Sequence, residues 1–488
     1  MAIPKEIKLI IEKLQKKGFQ AYLVGGCVRD LLRGQEPLDW DVTTNAKPEE
    51  IEKIFTKTFR DNQFGTVVVT TKSKNLRLKE IEITPYRIES KYTDKRHPDE
   101  IKWAKTLEED LKRRDFTVNA LAMDINLEII DLFNGQRDLQ NRIIRAVGNP
   151  DERFNEDALR LMRAVRLVTV LDSSEASAWQ IEPETLKAIK KNNHLLEMIS
   201  QERIRDELMK IIMSEKGAEG IELLRQLGLL KYIMPELEEG YGVGQNKHHI
   251  YEIYDHALRS LRFACQKNFN QSVRLAALLH DIGKPRTKRG QGSDATFYNH
   301  EVVGAKMCYQ ILNRLKFSKK DIEKIVKLVR YHLFYYNVDE VGESSVRRLV
   351  RQAGPENMAE LLQVRMADRI GSGVPKAEPY KLRHLKYIIE KVSQDPISAT
   401  MLKVDGQDVM KILKIQPGPK VGQVLDILLG YVLNDPKKNK KDFLEKQIEE
   451  LGRISEKELN SLVEKARQER TEIINKRDEM TKKKYWVT

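Results

Sequence analysis

The stretch AYLVGGCVRDLLRGQEPLDWDVTT, residues 21–44, decides the fold of the N-terminal region. A short apolar run ends in a glycine pair and a helical pattern follows directly, which predicts a strand, a tight turn and a helix. LDWDVTT (38–44), FGTVVVTTK (64–72) and LKEIEITPYR (78–87) predict three further strands. Residues 1–150 are therefore expected to form a small head built on a mixed sheet, and the pattern beyond residue 151 is almost wholly helical.

The turn at Gly25 and Gly26 has the chemistry of a phosphate-binding site. Glycines let backbone N–H groups approach a phosphate, and the N-terminus of a helix favours negative charge. Arg29, in the first turn of that helix, is placed to hold a phosphate oxygen. A tight turn also needs glycine for reasons unrelated to ligands, so this feature alone leaves both interpretations open.

Asp39 and Asp41 flank Trp40 in the predicted strand. Side chains two residues apart in a strand share a face, so these carboxylates would repel each other unless a cation lies between them. Oxygen ligands of this kind suit Mg²⁺, and a two-metal site would polarise an attacking hydroxyl and neutralise a departing pyrophosphate. An isolated Asp-x-Asp is more often a pair of solvated side chains. The preceding glycine turn favours the metal site, with Asp39 and Asp41 as its catalytic ligands.

Downstream, LEEDLKRRDFTVNALAMD (107–124) places charges beside a hydrophobic stretch. Arg113 and Arg114 are expected at the edge of a cleft, where arginine binds a triphosphate. Asp110 is either a third carboxylate for the metals or part of a solvated helix face.

FNEDALRLMRAVR (154–166) contains Asp157 and Arg160 three residues apart, on one face of a predicted helix that Arg163 and Arg166 continue. One interpretation is an ion pair worth a few tenths of a kcal/mol. The other is base recognition. Asp157 would accept from the exocyclic amine that cytosine and adenine share, while Arg160 would donate to the ring nitrogen. Guanine and uracil would leave both side chains unpaired and would be rejected.

Four motifs in this order, GGCVRDLL, LDWDVTTNAKPEE, RRDFTVNALAMD and EDALRLMRAVR, closely resemble those of class II tRNA nucleotidyltransferases and bacterial poly(A) polymerases. The resemblance covers roughly the first 240 residues. It implies template-independent addition of CCA, from CTP and ATP, to the 3′ end of tRNA, with Mg²⁺ at a nucleotidyltransferase head. The matching positions are Gly26 and Arg29 for the nucleotide, Asp39 and Asp41 for the metals, Arg114 for the triphosphate, and Asp157 and Arg160 for the base.

Two segments bear on which member of the family this is. NALAMD (119–124) resembles the CCA-adding members, and KYTDKRHPDEIKW (91–103) resembles the flexible loop that those members use in switching from C to A. The charged centre of that loop is Asp94–His97. The alternatives are an A-adding or CC-adding tRNA nucleotidyltransferase and a poly(A) polymerase.

A second group of motifs contains histidines and aspartates. The order His256, then the doublet His280–Asp281, then Asp368 resembles an HD phosphohydrolase domain, and His300 and His332 are additional candidate ligands. Imidazoles with carboxylates suit Mn²⁺, Ni²⁺, Co²⁺, Fe²⁺, Zn²⁺ or Mg²⁺. The domain is either a metal-dependent phosphohydrolase, with Lys284 assisting phosphate binding, or a scaffold that keeps the fold.

Composition restricts the class of protein. The 488 residues have a formal net charge of +13, which favours a polyanionic partner or simply keeps a large protein in solution. No run approaches the ~18 apolar residues of a membrane span, and three widely spaced cysteines fit a reducing cytoplasm. The expected organisation is an elongated all-α body after the head: head 1–150, helical neck 151–238, HD domain 239–373 and helical tail 374–488, the tail being a candidate tRNA contact.

Overall fold

The computed structural model describes residues 3–60, 65–90, 100–171, 178–246, 250–393 and 399–487. The chain divides into two compact units. The first consists of residues 1–333 and 359–375, and the second of residues 334–358 and 376–488. The predicted α+β class, with a mixed sheet near the N-terminus followed by a helical body, is confirmed. The four domain boundaries stay a prediction.

Eleven strands lie in the described part of the chain. They are β1 (Ala21–Val24), β2 (Asp41–Thr44), β3 (Thr58–Arg60), β4 (Val67–Thr70), β5 (Glu80–Pro85), β6 (Arg87–Ser90), β7 (Glu100–Trp103), β8 (Leu121–Met123), β9 (Ile129–Asp131), β10 (Ile143–Ile144) and β11 (Gln180–Ile181). Seven of them form the head sheet in the order β3-β4-β5-β2-β1-β8-β9. β2 runs parallel to β5 and antiparallel to β1, so the sheet is mixed.

Helices of the first unit surround this sheet and continue beyond it. They are α1 (Lys5–Lys16), α2 (Gly26–Leu32), α3 (Pro48–Ile54), α4 (Leu76–Lys79), α5 (Leu107–Lys112), α6 (Gly135–Asn141), α7 (Pro150–Glu156), α8 (Arg160–Leu171), α9 (Pro183–Asn192), α10 (Gln201–Ile212), α11 (Gly217–Gln226), α12 (Leu230–Ile233), α13 (Pro235–Glu238), α14 (Ile253–Gln266), α15 (Gln271–Leu279), α16 (Lys284–Thr287), α17 (His300–Arg314) and α18 (Lys319–Tyr331). After α19 (Glu343–Ala353), which belongs to the second unit, α20 (Met358–Gly371) returns the chain to the first.

The head core explains why the predicted elements form. α1 buries Ile7, Ile11 and Leu14, which share one helical face. They join a core cluster with Leu23 of β1 and Val42 of β2. β1 and β2 pair side by side in the sheet, and each contributes buried side chains to the same core.

The second unit is helical in its described residues. Beyond α19 it contains α21 (Tyr380–Ser393), α22 (Gly406–Leu413), α23 (Pro419–Asn434), α24 (Lys441–Gly452) and α25 (Glu456–Lys484). Its own core includes Val409, Leu428, Leu444 and Leu459. None of the helices described in either unit is both long enough and apolar enough to cross a membrane.

Candidate active site and candidate metal centre

The glycine turn between β1 and α2 is shaped by Gly25 more than by Gly26. Gly25 has φ +79°, and a Cβ there would come within 2.8 Å of the Arg114 Nη1 atom. A Cβ on Gly26 would meet only the Arg29 guanidinium, at 3.6 Å. The absence of a side chain at Gly25 therefore allows Arg114 to approach the start of α2. The resemblance to the family had assigned nucleotide binding to Gly26 and not to Gly25.

Arg29 is fixed beside this turn. Its Nη1 donates to Asn119 Oδ1 at 2.7 Å, while Nε and Nη2 donate to the two carboxylate oxygens of Asp30 at 2.9 and 3.0 Å. The guanidinium is therefore oriented before any ligand binds. Asn119 was not among the predicted site residues, although it lies in the RRDFTVNALAMD motif.

Asp39 and Asp41 were predicted to lie in the same strand, but only Asp41 does. β2 begins at Asp41, and Asp39 lies in the preceding bend, where it is exposed. Burial raises the pKa of Asp41, the Arg114 guanidinium opposes that rise, and the nearby Asp39 carboxylate adds to it. The two carboxylates thus interact electrostatically as expected, and a cation near them would favour the charged form of Asp41.

The Asp110 carboxylate accepts hydrogen bonds from two arginines, and this contact differs from the role of a third metal ligand beside Asp39 and Asp41. It is fully buried, and its Oδ1 accepts from Arg113 at 2.7 Å. Its Oδ2 accepts from Thr43 Oγ1 at 3.3 Å and from Arg114 Nη2 at 3.4 Å. The head side chains that the structure describes include no group of three metal-ligating atoms within 4.8 Å of one another.

Asp157 and Arg160 do not lie on one helix, so that prediction is wrong. α7 ends at Glu156 and α8 begins at Arg160, which leaves Asp157 extended between them. The physical reason is local: the Asp157 carboxylate accepts from the Leu159 backbone N–H at 3.1 Å, as aspartates do at helix starts. It also accepts from Arg203 Nη2 at 2.8 Å and from Nη1 at 3.2 Å.

Arg160 is buried and engaged by its surroundings. Its Nη1 donates to Glu156 Oε2 at 2.6 Å and to the Arg153 carbonyl at 3.0 Å. Its Nη2 donates to the Arg113 carbonyl at 3.0 Å. This guanidinium therefore joins α8 to the RRD segment of the head.

Arg163 and Arg166 do share a face of α8, as predicted, and both have acidic partners. Arg163 Nε donates to Asp115 at 2.8 Å, and Arg166 Nη1 donates to Glu207 at 2.8 Å. Burial alone would raise the pKa of Asp115, but Arg163 outweighs it and holds that pKa well below its usual range. Because Asn119 donates to Asp115 at 3.2 Å, hydrogen bonds connect Arg29 at the glycine turn to α8.

The histidine and aspartate motifs meet in one buried place, here called the HD cluster. Two groups of three side chains each bring their ligand atoms within 4.8 Å of one another: the first triad, His256, His280 and Asp368, and the second triad, Asp281, His300 and His332. All six side chains are buried. Residues from α14, the end of α15, α17, the end of α18 and α20 thus converge as the motif order predicted.

A cavity of about 830 Å³ opens beside the HD cluster. Lys284, Arg365 and Arg369 contribute to its lining, together with ligand side chains of both triads. Lys284 Nζ lies 2.6 Å from Asp281 Oδ2 and donates to Gln245 at 2.7 Å. The cavity therefore combines metal-ligating atoms with cationic groups that suit a phosphate.

The electrostatics of the HD cluster favour positive charge. Burial opposes protonation of His280, but Asp281 and Asp368 outweigh it and raise the pKa of His280 to about 10. Burial would raise the pKa of Asp281, yet His280 and Lys284 hold it well below its usual range. Two buried carboxylates thus stay ionised among imidazoles, a donor set that fits a divalent cation.

One predicted feature cannot be placed: the charged loop centre, Asp94–His97, lies outside the described residues.

Comparisons with known proteins match three regions of the chain. Residues 21–145 match the poly A polymerase head domain, residues 179–240 the probable RNA and SrmB-binding site of polymerase A, and residues 253–371 the HD domain. A CCA-adding enzyme of Ligilactobacillus salivarius is 35% identical over 465 residues, covering 91% of this chain and 99% of the relative. One of Lactococcus lactis subsp. lactis is 34% identical, covering 90% and 96%.

Solved structures agree with these matches. A Bacillus stearothermophilus CCA-adding enzyme in complex with CTP superimposes with a TM-score of 0.59 at 30% identity, covering 92% of this chain and 97% of the other. A Thermotoga maritima CCA-adding enzyme complexed with tRNA has the same fold at a TM-score of 0.53 and 20% identity, covering 92% and 96%.

Proposed function

Since this chain belongs to the family of CCA-adding enzymes, which are tRNA nucleotidyltransferases, we propose that it adds C, C and A in that order to the 3′ end of tRNA. The observation that carries the proposal is the gathering of the glycine turn, the Asp39–Asp41 pair and Arg114 at one end of the head sheet. CTP, ATP and tRNA are its substrates, and the cytoplasm is the proposed location.

The reaction is attack of the tRNA 3′-hydroxyl on the α-phosphate of CTP, and later of ATP, with release of pyrophosphate. Asp39 and Asp41 would hold Mg²⁺, which neutralises charge on the reacting phosphates when bound. Arg29 and Arg114 would bind the triphosphate. Both are already oriented, Arg29 by Asp30 and Asn119 and Arg114 by Asp110, so little ordering accompanies nucleotide binding.

Base selection is assigned to Asp157 and Arg160. Asp157 is partly exposed, and a carboxylate has enough lone pairs to accept from a cytosine or adenine amine while it keeps Arg203. Arg160 has its Nη1 and Nη2 groups turned to Glu156 and backbone carbonyls, so reading a ring nitrogen requires it to exchange one of those hydrogen bonds. Arg163 and Arg166 would support the nucleotide from the same helix.

The test supplies purified protein and Mg²⁺ with a tRNA that ends before CCA, and with CTP and ATP separately and together. The expected products are tRNA-CC with CTP alone and tRNA-CCA with both, after which addition stops. Activity only on tRNA ending in CC would make it an A-adding enzyme, and a halt at CC with both nucleotides would make it a CC-adding enzyme. Long A tails on unrelated RNA would make it a poly(A) polymerase.

The HD cluster supports a second activity, metal-dependent hydrolysis of a phosphate ester. The specific observation is that a cavity lined by Lys284, Arg365 and Arg369 is also bordered by four of the six candidate ligands, namely Asp281, His300, His332 and Asp368. The ligands would hold Mn²⁺, Ni²⁺, Co²⁺, Fe²⁺, Zn²⁺ or Mg²⁺. We expect hydrolysis of p-nitrophenyl phosphate with at least one of these ions and its loss in His280→Ala. No hydrolysis with any of them would favour a scaffold role.

A further inference from the structure

We infer that a groove on the head, between α1 and the antiparallel pair β3 and β4, docks an acidic amphipathic helix of a partner protein. This lysine groove is lined by α1 residues between Lys5 and Lys13 and by residues 55–57 and 69–73. It encloses about 410 Å³ and lies wholly within the first unit. None of the described head residues proposed to bind nucleotide or metal lines it. The inference is therefore independent of the activities proposed above.

The floor of the lysine groove is apolar. Ile10, Phe55 and Val69 line it, and all three are buried members of the head core. Leu9, beside Ile10 on α1, also lines the groove but is 46% exposed. A partner that covers Leu9 removes its apolar surface from water, which favours the binding of apolar side chains at this place.

The rim of the groove is positively charged. Four exposed lysines belong to its lining: Lys5, Lys13, Lys57 and Lys72. In the part of the chain that the structure describes, the last three have no ion-pair partner. Glu6 is the only carboxylate among the described lining residues, and its hydrogen bond with Ser73 lowers its pKa, an effect to which the neighbouring Lys5 adds. The one carboxylate is thus already engaged, and the free ammonium groups complement a partner that supplies carboxylates.

The backbone that forms one wall of the groove is fixed by its own hydrogen bonds. The Thr70 N–H donates to the Lys57 carbonyl at 3.0 Å, and the Thr71 N–H donates to the Lys79 carbonyl at 2.7 Å. A wall that is already ordered loses little conformational freedom when a partner binds. Because these backbone groups are paired, recognition in the groove depends on side chains, which favours a bound helix over an added strand.

The chemistry of the lining favours a protein over RNA as the polyanionic partner. Proteins bind single-stranded RNA by stacking its bases on exposed aromatic rings or on arginine. The one aromatic ring among the described lining residues, Phe55, is only 6% exposed, and none of those residues is an arginine. The phosphates of an RNA duplex would contact the lysines but leave the apolar floor uncovered. An amphipathic helix satisfies both, with apolar side chains on the floor and carboxylates at the rim.

The test measures the fluorescence anisotropy of a labelled probe peptide mixed with the full-length protein. The probe is a helical peptide with leucines along one face and glutamates along the other, and a shuffled peptide of the same composition lacks the two faces. Lys13→Glu/Lys57→Glu reverses two charges of the groove, and Leu9→Glu places a carboxylate at its exposed apolar residue. The matched control, Lys16→Glu/Lys53→Glu, makes the same charge change at exposed lysines outside the groove. Circular dichroism checks that each variant is folded, and Lys13→Ala/Lys57→Ala replaces any that is not.

We expect wild type to bind the probe peptide, and Lys13→Glu/Lys57→Glu and Leu9→Glu each to weaken that binding about tenfold. The control variant should bind the probe nearly as well as wild type, and the shuffled peptide should bind wild type much more weakly.

Several results would overturn the inference. Equal weakening in Lys16→Glu/Lys53→Glu would show attraction to the overall positive charge, and unchanged binding in Leu9→Glu would show that the apolar floor is not used. No binding of the probe to wild type would remove the docking site. Displacement of the probe by tRNA, with a higher KM for tRNA in Lys13→Glu/Lys57→Glu, would reassign the groove to RNA. Binding of oleate or phosphatidylglycerol vesicles in place of the peptide would reassign it to a lipid.

Discussion

The head site and the HD cluster use the same types of charged side chain in opposite ways. In the head and in the adjoining helix α8, each arginine described above has an acidic or amide partner, as Arg163 has in Asp115 and Arg166 in Glu207. In the HD cluster, imidazole Nε2 atoms and carboxylate oxygens lie 3.2–3.7 Å apart inside the protein. The first is a network of ion pairs in which each arginine has its own partner, and the second is a buried cluster in which several imidazoles share two carboxylates.

The two sites differ in how many candidate metal ligands the protein itself supplies. The proposed head ligands, exposed Asp39 and partly buried Asp41, are only two, so a nucleotide's phosphates would complete the coordination. The six side chains of the HD cluster are buried candidate ligands, so the ions proposed for it would be held without substrate. We therefore expect the head to bind metal together with nucleotide, and the HD cluster to keep resident ions.

The largest expected effect is on nucleotide addition. Asp41→Asn keeps the size of the side chain and removes its charge, so we expect CTP addition to fall by roughly 10³-fold or more. The measurement is single-turnover addition to tRNA lacking CCA. Glu36→Gln, an exposed carboxylate in the loop before Asp39, is the control and should behave as wild type. A tenfold loss or less would remove Asp41 from the metal site.

Removing metal ions is expected to lower the melting temperature through the HD cluster and not through the head. A ligand that binds only the folded state at 100 times its Kd stabilises it by about 2.7 kcal/mol. Chelation should therefore lower the melting temperature of wild type and of Asp41→Asn by similar amounts, measured by calorimetry without nucleotide. The His256→Ala/His280→Ala variant should respond less. Equal responses in all three proteins would show that the HD cluster holds no resident ion.

The Asp115–Arg163 pair tests how much the ion pairs between the head and α8 contribute to the free energy of unfolding. Asp115→Asn should cost about 2 kcal/mol of unfolding free energy at pH 7, because hydrogen bonds to a charged group are lost. The pKa of Asp115 is lower in the folded protein than the usual ~3.9, so its contribution is full above about pH 5. It should shrink as pH falls through 4, measured by urea unfolding. A difference that is independent of pH would contradict this assignment.

The smallest expected effect is on base choice. Asp157→Asn replaces a pure acceptor with a side chain that can also donate to the uracil carbonyl, so the preference for CTP over UTP should fall by about tenfold. Asp151→Asn, an acidic residue of α7 that pairs with Lys191, is the control. An unchanged preference would move base selection away from Asp157.

The sequence predicted the head well where short-range patterns decide the structure. The apolar run before Gly25 forms β1, and the second half of the LDWDVTT segment, from Asp41 on, forms β2 beside it. The break at Asp157 was missed because the apolar period runs on without interruption and Ala158 is a good helix former. At the break, the Leu159 backbone N–H donates to the Asp157 carboxylate, and this local hydrogen bond competes with a continuous helix.

The hydrogen-bonding partners of the site residues could not be predicted either, and here the reason differs from that at Asp157. Arg203 contacts Asp157 across 46 residues of sequence, and Asp115 holds Arg163 across 48. No local pattern selects these pairs among the many arginines of the chain. The candidate HD ligands were predicted from their characteristic order along the chain, but the orientation of the Asp281 oxygens depends on how five helical segments pack.

The most direct test of the account is one crossed assay. Wild type, Asp39→Ala and His280→Ala are each given tRNA lacking CCA with CTP, ATP and Mg²⁺, and each is also assayed for p-nitrophenyl phosphate hydrolysis with the divalent ion that activates wild type. We predict that His280→Ala completes CCA but does not hydrolyse the ester, and that Asp39→Ala hydrolyses the ester but adds no nucleotide. Nucleotide addition that survives in Asp39→Ala or disappears in His280→Ala would contradict the assignment of addition to the head.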